Sequence, residues 1–210
     1  MKAAALFVDP LGPYAMFPGV VDVWDAERDA MNYRGPLPVA CHSECARWMR
    51  MAAQIEARGG GKVGDDGGQF EFALWAVRTF GGVLEHPEGS GAFRHYGLPW
   101  TIPKDGNWYE AGEPEHAGRT WVAHTEQSAY GHDCRKPTWL YAVSRQKPAP
   151  MLVGGAPTRL VESLSSSDPR RHISPLPFAL QLLTIALNSQ TPEAGSRPLP
   201  IPYRQRRKPT

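Results

Sequence analysis

The segment Pro36–Trp48, reading Pro-Leu-Pro-Val-Ala-Cys-His-Ser-Glu-Cys-Ala-Arg-Trp, restricts this chain's possible folds more than any other stretch. Leu37–Cys41 is a short apolar run of the kind that forms a buried strand, and it breaks at His42 and Ser43. A helical pattern follows, with Trp48, Ala52 and Ile55 on one face, and runs to Arg58 before Gly59-Gly60-Gly61 stops it. A buried strand feeding a helix is the building unit of α/β sheets, which bind ligands outside the carboxyl ends of their strands. Ser43 reads as the N-cap, which puts Cys45 in the first helical turn. Unpaired N–H groups and the helix dipole favour a thiolate there. The plainer reading is a buried cysteine in an ordinary strand-to-helix connection.

The rest of the chain repeats this logic. Ala3–Val8 reads as a buried strand ending at Asp9, and Val20–Val23 as a second strand ending at Trp24-Asp25. Asp25–Tyr33 reads as a short helix stopped by Gly35-Pro36. Phe70, Leu74 and Val77 form the stripe of an amphipathic helix that ends at Gly81-Gly82. Gly82–Pro87 is a short strand with Glu85 and His86 near its carboxyl end, and residues 88–118 read as a long functional loop. Two more strands, Thr120–Thr125 and Thr138–Val143, flank Gln127, and a last helix runs from Ser174-Pro175 to Asn188. Residues 1–190 thus form one α/β domain, and the Pro-rich, basic segment 191–210 reads as a disordered tail.

Charge is divided unevenly. Residues 1–134 carry 11 Lys/Arg against 18 Asp/Glu, whereas residues 135–210 carry 12 against 3. A basic carboxyl-terminal third suits a polyanion such as nucleic acid, or else is a solvated end without a partner. Three cysteines do not make a disulfide framework, which points to a reducing, cytoplasmic compartment. No stretch has the length and apolarity of a membrane span, and the amino-terminal apolar run is too short for a secretion signal.

Polar groups gather at the ends of the expected strands: Asp9, Asp25, the His42–Cys45 turn, Glu85 with His86, and Gln127. If those strands are parallel neighbours, all of these groups face one crevice. Cys41, His42, Cys45, His86, His132 and Cys134 are ligand types for zinc. His42-Ser43-Glu44 also matches the His-x-Glu half of zinc deaminases, whose Pro-Cys-x-x-Cys half is missing. The Cys41-His42-x-x-Cys45 spacing crosses from strand to helix and points its members apart, so no metal is expected.

Three blocks in order resemble the catalytic half of the cytosine-C5 DNA methyltransferases. These are the strand and turn carrying Cys45, the strand Val83-Leu-Glu85-His-Pro87, and Gln127 with Arg135-Lys136-Pro-Thr-Trp-Leu-Tyr-Ala-Val143. The resemblance covers roughly residues 20–143, and the short form is similar to proteins of phage and prophage genomes. It implies that Cys45 adds to C6 of a flipped pyrimidine and that Glu85, kept protonated, holds the N3 edge. Gln127 and Arg135 would orient the loop and the DNA backbone, with Trp48, Trp100 and Trp108 as aromatic walls. It further implies S-adenosylmethionine as cofactor, with Asp9, Asp25 and Asp29 near it. The family's proline before the cysteine is replaced here by Ser43-Glu44, and only Asp9-Pro-Leu-Gly-Pro-Tyr14 stands where its glycine-rich loop would be. The expected fold is a single open, mainly parallel, Rossmann-like sheet with helices on both faces and an antiparallel addition at Thr138–Val143. The expected function is a DNA base-modifying transferase. The rival from another class is a non-catalytic nucleic-acid-binding relative that has lost the cofactor site.

Overall fold

The computed structural model describes residues 1–113, 119–165 and 168–189. Its strands are β1 (Ala3–Leu6), β2 (Val21–Trp24), β3 (Val39–Cys41), β4 (Gly82–Pro87), β5 (Trp108–Glu110), β6 (Thr120–Glu126) and β7 (Pro137–Val143). They form one mixed sheet in the order β2-β1-β3-β4-β7-β6-β5. The ladders β2/β1, β1/β3 and β3/β4 are parallel, whereas β4/β7, β7/β6 and β6/β5 are antiparallel. The sheet is therefore evenly mixed rather than mainly parallel. The chain leaves β1 for β2 on one side and returns to β3 on the other. That reversal of strand order falls between β1 and β3, the position at which open α/β sheets bind their ligands.

Alternation along the strands supplies two cores. Ala4, Leu6, Val39, Cys41, Leu84, Trp139, Tyr141 and Val143 join one cluster with helix α2 (Gln69–Phe80). Ala3, Ala5, Ala40, Val83, Leu140 and Ala142 join the other with helix α4 (Leu176–Asn188). The second face is lined largely by alanines, which let the α4 backbone come close. Phe178, Leu182 and Ala186 of α4 are wholly buried on it. Full burial of a side chain such as Leu or Phe stabilises by about 1.5–3 kcal/mol. The turn into β4 needs glycine: Gly82 has φ +123°, and a Cβ there would lie 1.9 Å from the Val39 carbonyl oxygen.

Several expectations require correction. The helix expected from Ser43 to Arg58 is only α1 (Ala52–Ala57), and residues 46–51 form turns and a bend. Cys45 therefore precedes any helix, although its carbonyl accepts from the N–H groups of Trp48 and Met49. Trp48 explains the irregular path, since it is pulled inward to donate its indole N–H to Asp66 at 2.8 Å. The Asp25–Tyr33 helix is reduced to a 3-10 turn, Ala30–Asn32. The loop 88–118 holds a helix, α3 (Gly91–His95), capped by Ser90, and the edge strand β5. Helices α2 and α4 lie close to where periodicity places them. The tail 191–210 lies outside the described residues, and no described helix is long and apolar enough to cross a membrane.

Candidate functional site

Glu85 points to the α4 side of the sheet and is almost fully buried. Its place in β4 is one residue past the last β3 pairing, Cys41 with Leu84, so His42 lies beside it. The His42 N–H donates to the Leu6 carbonyl at 3.1 Å and so extends the β1 ladder by one bond. His42 Nδ1 is 3.0 Å from Glu85 Oε2. His42 Nε2 is 2.8 Å from the hydroxyl of Tyr14, which stands in the 3-10 turn Pro13–Met16 after β1. From the antiparallel side, Gln127 donates from Nε2 to Glu85 Oε1 and to Thr138 Oγ1, both at 3.2 Å. Thr138 in turn donates to the Lys136 carbonyl at 3.0 Å, which fixes the direction of the chain. Gln127 is fully buried, and its Oε1 has no hydrogen-bond partner.

The charges are arranged differently from the sequence expectation. Burial works to raise the Glu85 carboxyl, but the hydrogen bond and charge of His42 outweigh it, with Lys136 and His86 adding to them. Glu85 is thus held below the usual carboxylate range and is ionised, not protonated. Burial pushes the Cys45 thiol up, Glu85 and Glu44 push it further, and Lys136 and Arg171 oppose them, leaving it at about 11. The expected thiolate is a thiol, because no helix N-terminus faces it and two carboxylates do. Burial raises the Tyr14 phenol strongly. Burial drops His86 to about 4. Its Nδ1 lies 2.6 Å from the Ser90 hydroxyl, and its ring packs edge-on to Phe70.

The structure brings Glu85 and Gln127 into contact and sets Cys45 and Lys136 within their field. It leaves Arg135 apart: its guanidinium grips Glu126 with contacts of 2.6 and 3.2 Å. Lys136 is the cation beside Glu85 and Cys45, with its ammonium donating to the Ile173 carbonyl at 3.0 Å. The three aspartates are engaged close to home. Asp9 accepts from the Leu11 N–H, Asp25 from the Arg28 N–H, and Asp29 from Met31 and Asn32. Trp48 and Trp108 belong to the two opposite cores, and Trp100 is exposed beneath Arg94, so they do not wall one pocket.

Among the described residues, His132, Asp133 and Cys134 are the group whose ligand atoms could share a metal ion. Both His132 nitrogens are already engaged, Nδ1 by the Cys134 N–H and Nε2 by the Arg170 carbonyl. The zinc alternative built on His42 loses its ligand in the same way, since both nitrogens face Tyr14 and Glu85. Glu44, its would-be proton shuttle, accepts from the Ala46 N–H at 2.6 Å. The sequence named Tyr14 and Thr138 only within a loop and a strand, and marked His42 as a strand-end polar group and a zinc-type ligand without pairing it with Tyr14 or Glu85. The one available signal was His42 lying directly after a buried strand.

No protein-family model, curated protein or solved structure matches this chain.

Proposed function

We propose that the chain is a DNA base-modifying enzyme related to the cytosine-C5 methyltransferases, acting through addition of Cys45 to C6 of an extruded pyrimidine. The observation that carries the proposal is the direct Glu85–Gln127 bond beside Cys45, made by residues far apart in sequence. The strand order supports the Rossmann-like, methyltransferase-type reading. Parallel β2-β1-β3-β4 is followed by β7, which runs against β4 and β6, and α2 and α4 cover opposite faces.

The free protein carries its proton on sulfur and its negative charge on Glu85. Attack needs the reverse. The Cys45 S–H bond breaks, its proton passes to the Glu85 carboxylate, and the electron pair left on sulfur forms the bond to C6. The C5=C6 pair moves into the ring as Glu85 gives that proton to N3. The proton that leaves sulfur ends on N3 of the base, Glu85 is again a carboxylate, and none is exchanged with solvent. Gln127 holds the Glu85 carboxylate from the other side.

The residues near β1 do not fit S-adenosylmethionine. The aspartates that would meet its ribose and adenine cap their own turns, and no glycine run opens a helix there. No step is assigned to it, and the donor of the transferred group is left open. The non-catalytic nucleic-acid-binding reading is favoured by those same engaged carboxylates and by the neutral thiol.

Hydrogen exchange at C5 separates the two, because in the covalent adduct C5 can take a proton from water and lose its original hydrogen to water before Cys45 leaves C6, without any donor. DNA tritiated at cytosine C5 should lose tritium to water with the protein, and Cys45→Ser should abolish the loss. DNA binding without tritium release would establish the non-catalytic reading, and absence of both would remove DNA as the partner.

A further inference from the structure

One hydrogen-bonded chain is not required by the base-addition chemistry: Tyr14 in the turn after β1, His42 just past β3, and Glu85 within β4. His42 is locked at both ends, 2.8 Å from the Tyr14 hydroxyl and 3.0 Å from Glu85 Oε2, with its own N–H held by the Leu6 carbonyl. We propose that His42 is a positioning residue that, braced by Tyr14, aims the Glu85 carboxylate and keeps it ready to accept the Cys45 proton. The proposal rests on the base-addition reading for its catalytic meaning, but the hydrogen-bonded chain can be tested without it.

The direction of the chain follows from its partners. Gln127 Nε2 donates to Glu85 Oε1, so that oxygen is an acceptor. Burial keeps the Tyr14 phenol protonated, and its hydroxyl pairs with His42 Nε2. Nδ1 carries a ring proton and donates to Glu85 Oε2. The imidazole therefore sits between two fixed partners, which sets its rotation. The ring edge contact with Tyr14, at 5.5 Å between centroids, holds the same orientation by packing.

The other ionisable groups facing Glu85 act differently. Lys136 points its ammonium to the Ile173 carbonyl rather than to Glu85, so it contributes only through space. His86 lies on the opposite face, stays neutral through burial and bonds Ser90. Cys45 is a thiol that accepts influence from Glu85 rather than stabilising its charge. Of these groups, His42 is the one in direct hydrogen-bond contact with the carboxylate. Without it, burial would be opposed mainly by the weaker through-space influence of Lys136.

The test is a titration of the Glu85 carboxyl by NMR of isotope-labelled glutamate in the full chain, with Glu85→Gln assigning the signal. His42→Leu removes both ring nitrogens, whereas His42→Asn leaves a side-chain N–H near the position of Nδ1. Wild type should titrate below the ordinary glutamate range. In His42→Leu the midpoint should rise by more than one pH unit, a tenfold or greater change in the protonation ratio at fixed pH. His42→Asn should recover most of that rise. Tyr14→Phe, which removes only the hydroxyl, should give a smaller rise by freeing the ring. A Glu85 midpoint unchanged in His42→Leu would overturn the proposal. So would an equal rise in His42→Leu and His42→Asn, since that would mark general loosening rather than a specific bond. If the titrations behave as stated but no tritium is released by wild type, the chain of bonds stands and the base-addition reading fails.

Discussion

Replacing Glu85 by glutamine should make Cys45 more acidic. Burial is the largest reason that the thiol sits at about 11, the Glu85 charge is second and Glu44 third, with Lys136 and Arg171 opposing. Two unit charges in contact near a protein surface interact by about 4 kcal/mol, and the energy falls with separation. No hydrogen bond joins Glu85 to Cys45, and Cys45 is partly open to solvent, so a quarter to a half of the contact value is reasonable. That amounts to about one pKa unit, since a unit is about 1.4 kcal/mol. Glutamine keeps the shape of Glu85, and Gln127 can turn its amide so that its unpartnered Oε1 accepts from the new side-chain N–H. The assay is the pH dependence of alkylation at Cys45, located by mass spectrometry. Cys41 and Cys134 are buried and give little background. The midpoint should fall by about one unit relative to wild type. An unchanged or raised midpoint would mean that Glu85 and Cys45 do not share one electrostatic environment, and the proton exchange proposed between them would fail.

The burial of His86 predicts a second pH effect. Its pKa of about 4 lies below the unfolded value near 6.5, so the unfolded chain binds more protons between these limits. Its contribution is fully present above pH about 6.5 and is lost as pH falls toward 4, by up to roughly 3 kcal/mol. Urea midpoints at pH 7 and pH 5 should show this fall, and His86→Gln should flatten most of it, with His124, also lowered by burial, supplying the remainder. Gly82→Ala should prevent soluble folding, because its Cβ would overlap the Val39 carbonyl and break the β3/β4 ladder; a normal circular dichroism melt would contradict this. Arg135→Ala should cost less than about 1 kcal/mol, as partly exposed ion pairs do, and should leave tritium release intact. Deleting residues 197–210, outside the described residues, should weaken duplex DNA binding and flatten its log–log salt dependence by about 0.9 for each phosphate that the tail neutralises.

The sequence alone determined the strands other than β5, and the long helices. β1, β3, β4, β6 and β7 are apolar runs bounded by Gly, Pro or polar residues, and α2 and α4 carry apolar stripes at helical spacing. These signals are local, because a buried face must repeat with the period of its own backbone. Glu85 and Gln127 were expected on one side of the sheet as polar groups at strand ends, but the bond between them was not foreseeable. The short elements were not foreseeable. Between Cys45 and Ala52 the helical pattern yields to the indole bond from Trp48 to Asp66, a partner 18 residues away. The state of the site was hidden for the same reason. Cys45 is a thiol because of burial and of the nearby Glu85 and Glu44, and Glu85 a carboxylate because His42 lies beside it past the neighbouring strand. Proton affinity depends on what surrounds a group in three dimensions, and only the β3/β4 register placed His42 beside Glu85, with the turn after β1 bringing Tyr14 to His42.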